Sequence, residues 1–231
     1  MLHEIYTRID EALSRHLADS AAPIDSIDLD AYYPAFCSGE MKLPQLEAYH
    51  GPLPDDLVTF TEARAAFNKH KPTQGCVMHY IDDKRFMCVY RNPVKYIPVY
   101  RAYGTTLGPD LSLYARAPEE EKRLNVFRNH LLALIWQHCG ITVIPNVTWA
   151  EPYSYAYCFE PYPMHSVVAI NSIGLRHDPV SHFFWARGYQ EAMKRLEPTA
   201  IIRYGPKMRL DQMGISRFYD NPHLTRMRDH K

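Results

Sequence analysis

Apolar residues recur every three or four positions near the start of the chain, at Leu2, Ile5, Ile9, Leu13 and Leu17. That spacing predicts an amphipathic helix with one face to bury. Residues 19–56 lose the periodicity and are rich in Pro, Asp and Tyr (Ala31-Tyr32-Tyr33-Pro34, Gly51-Pro52-Leu53-Pro54), which predicts an arm or lid over the rest of the protein. From residue 57 short β-branched runs alternate with helical stretches, the pattern of βα units and a mainly parallel sheet. Strands are expected at Leu57–Phe60, Cys76–Ile81, within Thr105–Tyr114, and at Ile141–Trp149, Val167–Ile170 and Thr199–Gly205. Helices are expected after a Thr61 cap, from Pro118 to a Gly140 cap with a stripe of Leu124, Phe127, Leu131, Leu134 and Ile135, and from Ser181 to Leu196. Pro93 and Pro98 break Arg85–Tyr103 into short pieces, and no pattern emerges beyond Pro206.

Three parts follow: a helix and arm over residues 1–56, an α/β domain over 57–206, and a basic tail over 207–231. About six βα units predict a TIM-like or partly closed parallel barrel. The alternative is an open doubly wound sheet, because six strands fall short of the eight of a closed barrel.

Composition narrows the class. With 231 residues, 46% hydrophobic and 23% charged, the chain can bury a substantial core. No apolar run reaches the roughly 18 residues of a membrane span, and Met1-Leu2-His3-Glu4 lacks the layout of a secretory signal, so a cytoplasmic protein is expected. Twenty-six bases balance 26 acids, and binding to nucleic acid must therefore be local. The balance is uneven along the chain: residues 1–60 carry 11 acids against three bases, and residues 201–231 carry three against seven. Such a separation suits contact with basic surface on this chain or on a second copy in a homo-oligomer, and solvated faces are the plainer alternative. The five cysteines are dispersed without a C-x-x-C pair, which argues against a zinc or disulfide frame. No P-loop, G-x-G-x-x-G, G-x-S-x-G or H-E-x-x-H motif occurs, so no nucleotide cofactor is expected.

Four pieces carry a resemblance. They are His79-Tyr80-Ile81-Asp82-Asp83-Lys84-Arg85-Phe86, Pro109-Asp110-Leu111-Ser112-Leu113-Tyr114, Arg128-Asn129 followed by the run from Trp136 to Trp149, and Ile201-Ile202-Arg203-Tyr204-Gly205. Together, over roughly residues 55–206, they resemble an uncharacterised family of bacterial, plasmid and phage proteins catalogued only as a domain of unknown function. The resemblance implies a kind of genetic element and no particular reaction.

In parallel α/β folds ligands bind at the carboxyl ends of strands. Asp82 and Asp83 end one predicted strand, Asp110 and Ser112 the next; Trp149 and Glu151 follow another, Asn171 and Ser172 end a fourth and Tyr204 the last. The carboxylates Asp82, Asp83 and Asp110 are the candidate catalytic residues, suited to hold Mg²⁺ or Mn²⁺ or to divide into acid and base; helix and turn caps are the plainer alternative. Trp149 and Tyr204 are candidate substrate contacts, as are Arg128 and Asn129 on the long helix, whose plainer role is to bond a neighbouring loop. Tyr32, Tyr33, Tyr153, Tyr155, Tyr157 and Tyr162 offer a stacking surface or, alternatively, internal packing. These residues predict a metal-dependent hydrolase acting on a phosphoester or nucleic acid, in a phage- or plasmid-associated protein as the resemblance implies. The alternative is a non-catalytic protein that binds nucleic acid or a host or phage protein.

Overall fold

The computed structural model describes residues 2–19, 21–25, 27–31, 43–175 and 178–219. The first helix, α1 (Leu2–Ala18), buries Ile5, Ile9, Ala12 and Leu13, whereas Leu17 is exposed. Its packing stripe is thus shorter than the periodicity predicts. The end of the expected arm is built into the core: Leu43 and Leu46 are buried, and the Tyr49 amide donates to Ser166 Oγ at 2.9 Å. Tyr32 and Tyr33 lie outside the described residues.

Among the described residues, seven strands follow in one direction. β1 (Leu57–Thr59), β2 (Cys76–Met78), β3 (Thr105–Leu107) and β4 (Thr142–Ile144) pair in parallel in chain order. β5 (Val167–Asn171), β6 (Ala200–Tyr204) and β7 (Ser216–Tyr219) form a second parallel set, joined to the first by a parallel bridge between Asn146 and Ala169. The order never reverses, as a doubly wound sheet requires at its switch point. No pairing joins β7 to β1 among the described residues, so the expected closed barrel is not formed by backbone hydrogen bonds. β7 falls in the stretch after Pro206 where no element was expected, because four residues of mixed polarity carry no readable period.

Alternation along the strands separates two cores. Cys76, Met78, Leu107, Ile144, Val167, Ala169, Ile202, Tyr204 and Tyr219 form an inner cluster. Val77, Val143, Val168, Ile170 and Ile201 point the other way, into the larger cluster under the helices. Burial on both faces explains the near-continuous apolar runs.

The helices connect the strands. α2 (Phe60–Asn68) starts two residues earlier than expected, because Thr59 and Glu62 form a reciprocal capping box and Thr61 is left exposed. Arg85–Tyr103 resolves into α3 (Asp83–Arg91) and α4 (Pro93–Tyr103), broken at Asn92; Pro98 sits inside α4 at the loss of one helical hydrogen bond. α5 (Glu119–His138) is the long helix, and Gly140 takes the left-handed conformation just past its end. A 3₁₀ turn (Pro152–Ser154) leads into α6 (Tyr155–Cys158), where Tyr155 and Tyr157 are buried, as is Tyr162 beyond it. Those three tyrosines are packing residues and present no stacking surface. α7 (Pro179–Leu196) is capped by Asp178 with Pro179 at its first position, two residues before the expected start; His177 lies outside the described residues.

Candidate active-site cleft at the strand ends

β3 ends at Leu107, and the chain continues through Gly108 and Pro109 to Asp110. Any Cβ on Gly108 would meet the Asn146 backbone nitrogen at 3.0 Å, so glycine permits the tails of β3 and β4 to lie side by side. Asn146 Nδ2 donates to Asp110 Oδ1 at 2.9 Å and to the Pro109 carbonyl at 3.1 Å. From the end of β5, Asn171 Nδ2 donates to Asp110 Oδ2 at 3.1 Å. The Asn146 amide is itself oriented: Tyr80 Oη, two residues past β2, donates to its Oδ1 at 2.9 Å. Tyr162 Oη donates to the Asn146 carbonyl at 2.5 Å. Three adjacent strand ends therefore place one carboxylate, and a fourth orients its partner.

Electrostatics keep that carboxyl near its titration point. Removal from water pushes the Asp110 pKa up to about 7; the Asn146 hydrogen bond opposes the rise and the nearby Asp83 charge adds to it. Asp83 is also raised, by burial first, although the Ser112 amide and hydroxyl both donate to its carboxylate, at 3.2 Å each. The loop after Asp110 is clamped from α5. Asn129 Oδ1 accepts from the Leu111 amide at 3.0 Å, its Nδ2 donates to the Leu111 carbonyl at 3.3 Å, and Asn125 Nδ2 donates to the Ser112 carbonyl at 3.0 Å.

Asp110 lies in a cleft of about 220 Å³, with walls that include Leu111, Tyr114, Val147, Trp149, Asn171 and Trp185. Among the described residues no Lys, Arg or His lines it. Trp149 packs against α7 at Gly188, where any Cβ would come within 2.1 Å of the indole. Trp185 Nε1 donates to the Asn171 carbonyl at 2.8 Å, which links the aromatic wall to the end of β5. Aromatic walls around one buried, amide-bonded carboxyl suit a polar ring compound that stacks and exchanges hydrogen bonds.

The other expected site residues are distributed differently. Asp82 is exposed and accepts from the Lys84 amide at 2.9 Å as the cap of α3. Asp83 holds Ser112 at the lip of the cleft. Among the described residues no group of three or more His, Cys, Asp or Glu side chains is gathered as metal ligands would be; Asp83 lies near enough to Asp110 to raise its pKa, whereas Asp82 serves its helix cap. Arg128 pairs with Asp30 at 2.8 Å and ties α5 to the N-terminal segment, away from the cleft lining. Asn129 positions the loop. Tyr204 is buried, its ring stacked on Tyr80 at 5.0 Å, so it supports the tyrosine that orients Asn146. Glu151 pairs with the buried Lys122 at 2.9 Å. Asn146 and Tyr80 were not singled out as site residues from the sequence, although each lies two residues past the end of a strand.

The model of the family described as a domain of unknown function (DUF4417) matches residues 35–222. The chain is 32% identical over 191 residues to the Gene 1 protein of Mycobacterium phage D29, covering 79% of this chain and 70% of that protein. It is 32% identical over 148 residues to the Gene 1 protein of Mycobacterium phage L5, covering 64% of this chain and 65% of that protein. No solved structure matches. No helix among the described residues is long and apolar enough to cross a membrane.

Proposed function

Because the chain belongs to the DUF4417 family, a phage-associated domain of unknown function, we propose that its cleft binds a neutral, polar, ring-bearing substrate and that Asp110 serves as the acid–base group of a hydrolysis. The observation that carries this reading is the Asp110 carboxyl, held by two amides between aromatic walls with its pKa near 7. At that pH it is as often protonated, and able to donate to a leaving group, as it is ionised and able to accept from water. The described lining is aromatic and amide-bearing with no cationic side chain, which fits a base or sugar better than a bare phosphoryl group.

The architecture supports this placement. We read the seven strands as a partly closed parallel barrel: Tyr219 Oη donates to the Pro54 carbonyl just ahead of β1, Arg217 reaches Asp55, and alternate residues of all seven strands surround the inner cluster. The cleft then lies at the barrel mouth, where such folds carry their chemistry.

Intrinsic tryptophan fluorescence tests the reading, since two of the three tryptophans line the cleft. Nucleosides and monosaccharides are titrated in turn, and the compound that quenches is assayed for hydrolysis across pH. Quenching with turnover that changes near pH 7 and disappears in Asp110→Asn supports the reading. Quenching without turnover at any pH makes the protein a non-catalytic binding module. A thermal shift with Mg²⁺ or Mn²⁺ that Asp110→Asn loses replaces the metal-free reading with a metal site.

A further inference from the structure

The surface of α2, α3 and α4 carries cations with no acidic partner. Arg64, Lys84, Arg85, Arg91 and Lys95 are exposed, and none forms an ion pair among the described residues. By contrast, Lys122, Arg128, Arg195, Arg203 and Arg217 are each paired with a carboxylate. Two of the unpaired cations, Arg64 and Arg85, line one groove, and a third, Lys95, shares an aromatic ring with Arg64. A groove of about 370 Å³ between α2 and the first turn of α3 is lined by Phe60, Thr61, Arg64, Ala65 and Asn68 on one side and Arg85 on the other. Thr61, Arg64, Ala65 and Asn68 are three, four and seven positions apart, hence on one helical face. Arg64 and Lys95 lie 5.9 and 5.8 Å from the centroid of the same Tyr96 ring. Like charges gathered in this way repel one another until an anion sits among them.

One helix, α3, connects the groove to the loop that lines the cleft. α3 opens with Asp83, whose carboxylate holds Ser112 at the lip of the cleft, and Arg85 follows two residues later. We propose that the α2–α3 groove binds phosphates of a single-stranded nucleic acid, with Arg64, Arg85 and Lys95 as the contacts. A strand lying there delivers an unpaired base or its sugar to the Asp110 cleft, a step that rests on the reading of the cleft given above. The division of labour matches the chemistry: the groove offers exposed cations for phosphates, and the cleft offers tryptophans for the ring. An anionic membrane fits less well, because none of the exposed large apolar side chains among the described residues belongs to α2, α3 or α4.

The test is fluorescence anisotropy of a labelled oligothymidylate with the full chain over a salt series. Each phosphate contact on a single strand contributes about 0.7 to the slope of log K against log salt. The triple variant Arg64→Gln, Arg85→Gln, Lys95→Gln is expected to bind roughly tenfold or more weakly at physiological salt and to flatten that slope by about 2. Its melting temperature and its nucleoside quenching should match the parent protein, since the three side chains are exposed and lie outside the cleft. Asp110→Asn should keep the parental salt slope. Equal affinity and slope in the triple variant overturn the groove assignment even where the cleft binds nucleosides, and so does binding of phosphatidylserine vesicles without binding of the oligonucleotide. Salt-dependent binding that the triple variant loses, together with a cleft that takes up no nucleoside, upholds the groove and removes the reading of the cleft.

Discussion

Asp110 shows at the scale of one residue how a buried carboxyl is set against stability. Its folded pKa near 7 lies above the ordinary carboxylate value, so the folded protein holds a proton that the unfolded chain gives up. Above pH 7 the ionised group is a cost to the fold; between about pH 7 and 4 the cost fades, and below both pKa values it is gone. Asp110→Asn is therefore expected to be more stable than the parent by a few kcal/mol at pH 8, with the advantage vanishing near pH 4, as read from paired thermal melts across pH. Two buried histidines act with the opposite sign. Burial pushes His79 and His130 down to about 3, against the opposing pull of hydrogen bonds to backbone carbonyls. His79 is neutral, bonded to the Gly108 carbonyl at 3.1 Å and to Tyr100 Oη at 3.0 Å. The unfolded chain takes up these protons from about pH 6.5 downward while the fold refuses them until about 3, so stability falls as pH drops through that window. In His130→Phe the dependence of unfolding free energy on pH there should lessen by about one proton's worth, roughly 1.4 kcal/mol per pH unit.

At the scale of elements, the cleft depends on how helices meet strand ends. α5 was the most legible helix in the sequence, from its acidic first turn to its closing glycine, and Arg128 and Asn129 stood out on it. Their division was not legible, because it depends on what faces each side chain. Asn129, with Asn125 one turn before, meets the Asp110 loop, while Arg128 meets Asp30, 98 residues away in sequence. α7 supplies the sharper case. Glycine inside a helix ordinarily costs about 1 kcal/mol relative to alanine. At Gly188 the Trp149 indole occupies the space, and a methyl group would lie 2.1 Å from it. Gly188→Ala is thus expected to destabilise the protein by about 1–3 kcal/mol despite the gain in helix propensity. A shift of tryptophan emission and a loss of ligand quenching should accompany it, measured by urea denaturation and fluorescence.

Across the whole molecule the second sheet is fastened by a buried ion pair. Arg203 Nε donates to Asp211 Oδ1 at 2.6 Å, and its remaining nitrogens reach the Ile170 carbonyl and Ser172 Oγ, so the connection from β6 to β7 is anchored without a helix. Both side chains of the pair are fully buried. Asp211→Ala leaves the guanidinium uncompensated and should cost about 3–5 kcal/mol, visible as an early loss of cooperativity in urea denaturation. Arg203 was visible in the sequence only as part of a family motif, since the partner that justifies a charge inside a strand lies in a loop with no pattern of its own. Apolar runs bounded by Gly, Pro and Asp determined the alternation of parallel strands and helices, and with it the rim of strand ends, because burial on both faces and helix capping are written in neighbouring residues. Thr59, Asn92 and Asp178 moved helix starts by small steps, since a cap depends on which side chain reaches the free amides. Tertiary structure alone decided that Asp82 caps a helix, that Asp83 holds a loop and that Asp110 meets Asn146 and Asn171, because those roles depend on distances across strands that lie 36 and 61 residues apart in sequence.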